Sequence, residues 1–153
     1  MKTKTFGLIL AVCFLTSGAC FASAFQGTWK LNAAKSKLGR GGQRNDRVVY
    51  DWAFPAQTKV TVDGRDAKGK AMHSEWTGRF DGKDYAVTGA ADGDMRAYTE
   101  VNDHTLNFTS KKGGKVTLNG RVVISADGKT RTVTTWARHG KKKMTNVAFY
   151  DKA

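Results

Sequence analysis

Short runs of valine, threonine and aromatic residues, each ended by a glycine- or aspartate-rich turn, recur from Asp46 to the end of the chain. No other feature limits the fold as strongly. Runs of this length and composition are β-strands, and Asp-Gly pairs between them favour tight hairpins because both residues tolerate positive φ. The pattern predicts strands over Asp46–Ala53, Thr58–Asp63, Lys70–Phe80, Asp84–Gly89, Met95–Val101, Thr105–Lys111, Val116–Ser125, Thr130–His139 and Met144–Tyr150, with a first strand around Gln26–Leu31. The turns are "FPAQ", the Asp-Gly pairs at Asp63-Gly64, Asp81-Gly82, Asp92-Gly93 and Asp127-Gly128, and "KGG" at Lys112 to Gly114. Only "NAAKSKLGRGGQRND", Asn32 to Asp46, is longer, with one helical turn expected at Ala33–Leu38.

Ten strands in an unbroken meander leave two exposed edges in an open sheet, and closure removes both. The expected fold is therefore all-β: a single up-and-down antiparallel β-barrel of about ten strands. Period-two patterning places Val48, Tyr50, Trp52 and Phe54 on one face of the second strand. Thr130 to Thr135 is so rich in threonine that neither face stands out as apolar.

Ahead of the barrel, Lys2 and Lys4 precede an apolar stretch, Phe6 to Leu15, and the small-residue pattern Ala22-Ser23-Ala24. This is the form of a secretory signal, too short for a membrane-spanning helix. Residues 1–24 are read as signal peptide, 25–153 as the barrel domain, and the location as periplasmic or secreted. Both cysteines, Cys13 and Cys20, fall within the leader, so the mature chain relies on packing rather than disulfides. Lipidation at Cys20 is the lesser alternative, because Ser17 stands where a bacterial lipobox usually has leucine. Removal of the leader takes the 26 basic residues to 24 against 13 acidic, a balance of +11. Such a charge favours anionic partners and says nothing about fold.

With the strands placed, "AFQGTWKLN" (Ala24 to Asn32) becomes informative. Gly27-Thr28-Trp29 resembles the Gly-x-Trp of the first strand in the lipocalin and fatty-acid-binding-protein superfamily, and the tail "VAFYDKA" resembles that family's last strand. The resemblance implies that Trp29 plugs the barrel floor where Gly27 lets the strand bend, and that the interior holds a small, mostly apolar ligand. It also departs from the pattern. Fatty-acid-binding relatives clamp a carboxylate with Arg and Tyr two apart on the last strand; here Tyr150 matches, but the arginine position is Ala148. The loop after the first strand is too short and glycine-rich for the helical lid of intracellular relatives.

The expected ligand-lining residues are Tyr50, Trp52, Trp76, Phe108, Trp136 and Tyr150, with Arg121 or Arg138 as anionic anchor in place of the missing one. A continuous apolar cavity of roughly 300 Å³ or more separates a ligand carrier from a barrel filled by its own side chains. Alternating hairpins of a meander also sort the turns by end. One end collects a basic rim: Arg65, Lys68 and Lys70, then Lys111, Lys112 and Lys115, then Lys141, Lys142 and Lys143. By strand count this is the end where relatives have their portal. A rim of this kind either keeps the chain soluble or meets an anionic membrane surface.

His73, His104 and His139 occupy different strands without metal spacing, so no metal or cofactor is expected. The absence of nucleophile, phosphate-loop and dinucleotide motifs favours binding over catalysis. The expected function is a monomeric, exported carrier of a small hydrophobic or amphiphilic molecule, anionic ones included. Two alternatives stand beside it: an envelope interaction protein with a solid barrel, and a basic module for nucleic acid or another anionic polymer. Export from the cell disfavours nucleic acid as partner.

Overall fold

The computed structural model of the protein describes residues 23–39, 43–139 and 142–153; the side chains of residues 138, 139 and 142 fall outside that description. The signal reading therefore lies, as far as residue 22, outside the described residues. Among the described residues ten strands follow one another: β1 (Gly27–Leu31), β2 (Arg44–Ala53), β3 (Gln57–Arg65), β4 (Ala71–Gly78), β5 (Tyr85–Thr88), β6 (Met95–Asn102), β7 (Thr105–Lys112), β8 (Lys115–Ile124), β9 (Thr130–His139) and β10 (Lys142–Lys152). Each pairs antiparallel with its sequence neighbours, and β1 closes the barrel between β10 and β2. The closing register sets Leu31 opposite Tyr150 and Trp29 opposite both Lys152 and Val48. Closure satisfies the backbone groups that two free edges would expose.

Two local expectations are corrected. Ala33 to Lys35 form a turn, not a helix; Lys37 then bridges to Val147, which ties the loop flat against β10. Asp63-Gly64 is not the β3–β4 hairpin either, because pairing runs on to Arg65 opposite Ala71. Gly64 is needed there for a close approach: a Cβ would stand 2.0 Å from the Arg44 carbonyl oxygen. The hairpin itself closes at Asp66–Gly69, where Asp66 Oδ1 accepts from the backbone N–H groups of Lys68 and Lys70.

At one end the interior is filled. The Trp29 indole is 0% exposed and donates to the Phe25 carbonyl at 2.9 Å. Gly27, at φ +116°, lets the chain turn into the strand just after Phe25, in a backbone region costly for any side chain. Phe25 meets Tyr50 and Phe80, and Trp76 stacks on Phe80 while meeting Tyr85 and Tyr98 in T-shaped pairs. These rings also cover the weakest seam of the barrel, where β5 pairs through only two registered positions with β4 and two with β6. Gly27 and Trp29 thus lie at the filled end of the barrel.

Candidate functional site

Above the rings the strands carry smaller side chains, and a cavity of about 240 Å³ opens toward the end that bears the β1–β2 loop and the β3–β4, β5–β6, β7–β8 and β9–β10 connections. Val48, Val60, Val62, Val133, Leu31 and Ala148 make its apolar wall. The volume equals the liquid share of about eight waters, at about 30 Å³ each, and lies just under the range of drug-sized pockets. The barrel is therefore neither hollow throughout nor packed solid.

Two arginines give the cavity its electrostatics. Arg96, 9% exposed, comes from β6, and its Nη2 reaches both Asp92 carboxylate oxygens, at 2.9 and 2.6 Å. Its Nε donates to Ser110 Oγ, which in turn donates to Asp92 Oδ2 at 2.7 Å. Burial works to lower the Arg96 pKa, but Tyr98 and Asp92 outweigh it, and the net direction is upward. This guanidinium is matched.

Arg131, 5% exposed on β9, is not. Its guanidinium lies between two aromatic faces, 5.1 Å from the Tyr50 centroid and 4.8 Å from that of Tyr150. Nη2 donates to the Tyr50 hydroxyl at 3.1 Å, while Nε and Nη1 are buried without a hydrogen-bond partner among the described residues. Stacking contributes about 2 kcal/mol when the cation is desolvated, well short of what burying an uncompensated charge costs. Burial raises the Tyr50 phenol far above its ordinary value, with Arg131 opposing, and raises Tyr150 in the same way. Both phenols are neutral hydrogen-bonding groups beside the cation.

Of the residues expected to line the cavity, Phe108 and Tyr150 do so, and Tyr50 lies directly beneath, holding Arg131. Four expectations are corrected. Trp52 is 63% exposed although it shares the parity of Tyr50, because β1 begins opposite Tyr50 and leaves the end of β2 without a neighbour on that side. Phe54 follows it out at 95% exposed. Trp76 belongs to the floor cluster, its Nε1 donating to the Arg96 carbonyl. Arg121 faces outward between inward Gly120 and Val122, and bonds Asn107 Oδ1. Trp136 alternates with cavity-lining Thr135 and lies in an outer groove under Lys143. The Arg138 side chain falls outside the described residues.

The buried arginine of the cavity wall absent from the sequence-based lining is Arg131, missed because its neighbours Thr130 and Thr132 gave β9 no apolar face to set its parity. The usable signal was Val133, two residues on and inward, with Arg131 registered opposite Tyr150.

The basic rim is at the cavity end. Arg65, Lys68, Lys70, Lys112, Lys115 and Lys143 are exposed there. Lys111 is tied to Asp84 at 2.6 Å, Lys141 lies outside the described residues, and of Lys142 only the backbone is described. Among the described residues no group of three or more His, Cys, Asp or Glu is placed to hold a metal ion.

No protein-family model matches the chain, and no curated protein matches it. Among solved structures the chain is similar to a redesigned β-barrel, mFAP1, bound to DFHBI, at 14% identity over 85% of this chain and 95% of that one, with a TM-score of 0.46.

Proposed function

We propose that this protein is a non-catalytic, exported carrier that holds one small anionic amphiphile, its acidic head on Arg131 and its apolar part along the valine-lined wall toward the rim. The single observation that supports this reading is the Arg131 guanidinium, set in the wall of a largely apolar cavity with its buried Nε and Nη1 unpartnered among the described residues. Charged groups are kept in such places when something pairs with them. A carboxylate, sulfate or phosphate oxygen accepting from Nε and Nη1 supplies the missing partner, and burial of the chain supplies about 25 cal/mol per Å² of apolar area. The volume suits a short chain, or the head and first carbons of a longer one that emerges at the mouth. The exposed lysines at the rim draw anions toward that opening, an effect that salt weakens.

Calorimetric titration with octanoate tests this. Binding to the native protein is expected, weakening at least tenfold in Arg131→Met, whereas Arg121→Met on the outer wall binds as the native protein does. Equal affinity in native protein and Arg131→Met would remove the head-group assignment.

A second reading is favoured by Trp52 and Phe54, which stand out from the β2–β3 hairpin at the floor end. In that reading the outside of the barrel meets an apolar partner, and Trp52→Ser with Phe54→Ser abolishes the association while leaving octanoate binding intact.

A further inference from the structure

The two arginines of the cavity differ in one respect: Arg96 already has its anion and Arg131 does not. The anion on Arg96 is Asp92, and it is fastened there. Thr117 Oγ1 donates to the Asp92 carbonyl oxygen. Two residues on, the Asp94 N–H donates to the Lys111 carbonyl at 2.9 Å and the Asp94 carbonyl accepts from the Val87 N–H at 2.9 Å. Gly113 N–H donates to Asp94 Oδ2 at 3.1 Å. The carboxylate itself is 17% exposed, lines the cavity, and accepts from both Arg96 and Ser110. Asp92, Arg96, Tyr98 and Arg131 line the same cavity, so the two cationic centres share one wall.

We propose that Asp92 determines charge selectivity: it is a built-in counter-anion that leaves the cavity one unmatched positive charge and so restricts the ligand to a single negative charge. The inference rests on the reading of the cavity as a ligand site. A monoanion entering beside Arg131 brings the wall to neutrality. A dianion leaves one negative charge unpaired in a poorly hydrated space and faces the Asp92 carboxylate, both unfavourable where the local dielectric is low. Asp92→Asn keeps the shape of the carboxylate and an oxygen for Arg96 to donate to, but releases a second positive charge for the ligand.

Octyl sulfate and octyl phosphate separate these cases. The sulfate keeps one charge at all pH values used, whereas the phosphate passes from one charge to two around pH 6. In the native protein the ratio of octyl phosphate to octyl sulfate affinity is expected to fall at least tenfold between pH 5 and pH 8. In Asp92→Asn that fall is expected to vanish or reverse, and Arg96→Met added to Asp92→Asn restores it. The native measurement stands by itself if the variants do not fold. A ratio that is independent of pH in the native protein, with both ligands binding, overturns the selectivity and leaves carriage intact. Failure of octyl sulfate, octyl phosphate and octanoate to bind at all overturns carriage, and the selectivity with it.

Discussion

The two halves of the barrel interior are made by the same alternation of strands but filled in opposite ways. Toward the floor, Phe25, Phe80, Trp76 and Tyr98 close ring on ring, Trp29 is fully buried, and both indole N–H groups find backbone carbonyls. Toward the mouth, valines and Ala148 leave about 240 Å³ open, and the cationic groups that line it are two guanidiniums, only one with its counter-ion. The difference teaches that closure and capacity are divided along one axis. Large rings seal the end where a short β1 leaves the wall thin, and small residues at the other end hold space that a ligand can take.

Truncation at the floor should cost the most. Trp29→Ala leaves a cavity beneath a fully packed cluster and is expected to lower unfolding free energy by about 3–5 kcal/mol, whereas Val133→Ala, beside space already open, costs about 1.5 kcal/mol. Urea denaturation of the two variants decides it; equal losses would mean that the halves are not packed differently.

The next effect divides the mouth against itself. Arg96→Met strands the Asp92 carboxylate and is expected to destabilise by about 3 kcal/mol, while Arg131→Met removes a charge with no counter-ion and is expected to stabilise the ligand-free protein by about 1 kcal/mol. Thermal melts of both variants in the absence of amphiphile give the sign. If Arg131→Met destabilises as Arg96→Met does, Arg131 is structurally paired and not held for a ligand.

The smallest effect lies outside both halves, on the outer face of β3 and β4. There His73 Nδ1 lies 2.6 Å from Asp63 Oδ1, and Nε2 lies 3.6 Å from Glu75 Oε1. The Asp63 hydrogen bond leads the causes that raise the His73 pKa above its ordinary 6.5. A raised histidine contributes stability that is whole below the unfolded pKa and is lost as pH rises through the folded one. Native protein is therefore expected to exceed His73→Gln slightly in melting temperature at pH 5.5, with the gap closing above pH 6.5 as His73 deprotonates. A gap that widens with pH would assign the proton wrongly. Octanoate affinity should be the same in both proteins, since the pair faces outward and does not line the cavity.

Much of the frame was legible in the residues. Repeated Val/Thr/aromatic runs and glycine-rich turns pointed to ten strands, and alternation of hairpins placed the exposed lysines at the open end. Less legible were positions where a pattern was present but one neighbour was missing. Trp52 has the parity of an interior residue, yet β1 begins only opposite Tyr50 and leaves Trp52 with a neighbouring strand on one side alone. Asp92 reads as the first residue of an Asp-Gly turn, and nothing local shows that its carboxylate turns inward onto Arg96.

By itself, then, the sequence determined the strand count and the order of pairing, because β-propensity and turn chemistry act over a few residues. Only the tertiary structure decided which charges lie inside. Whether Arg131 or Arg121 faces the cavity follows from the register of β9 against β10 and of β8 against β9, and a shift of one residue inverts every side chain on a strand. Charge burial is thus a property of the closed barrel, in which Arg131 meets Tyr50 from 81 residues away.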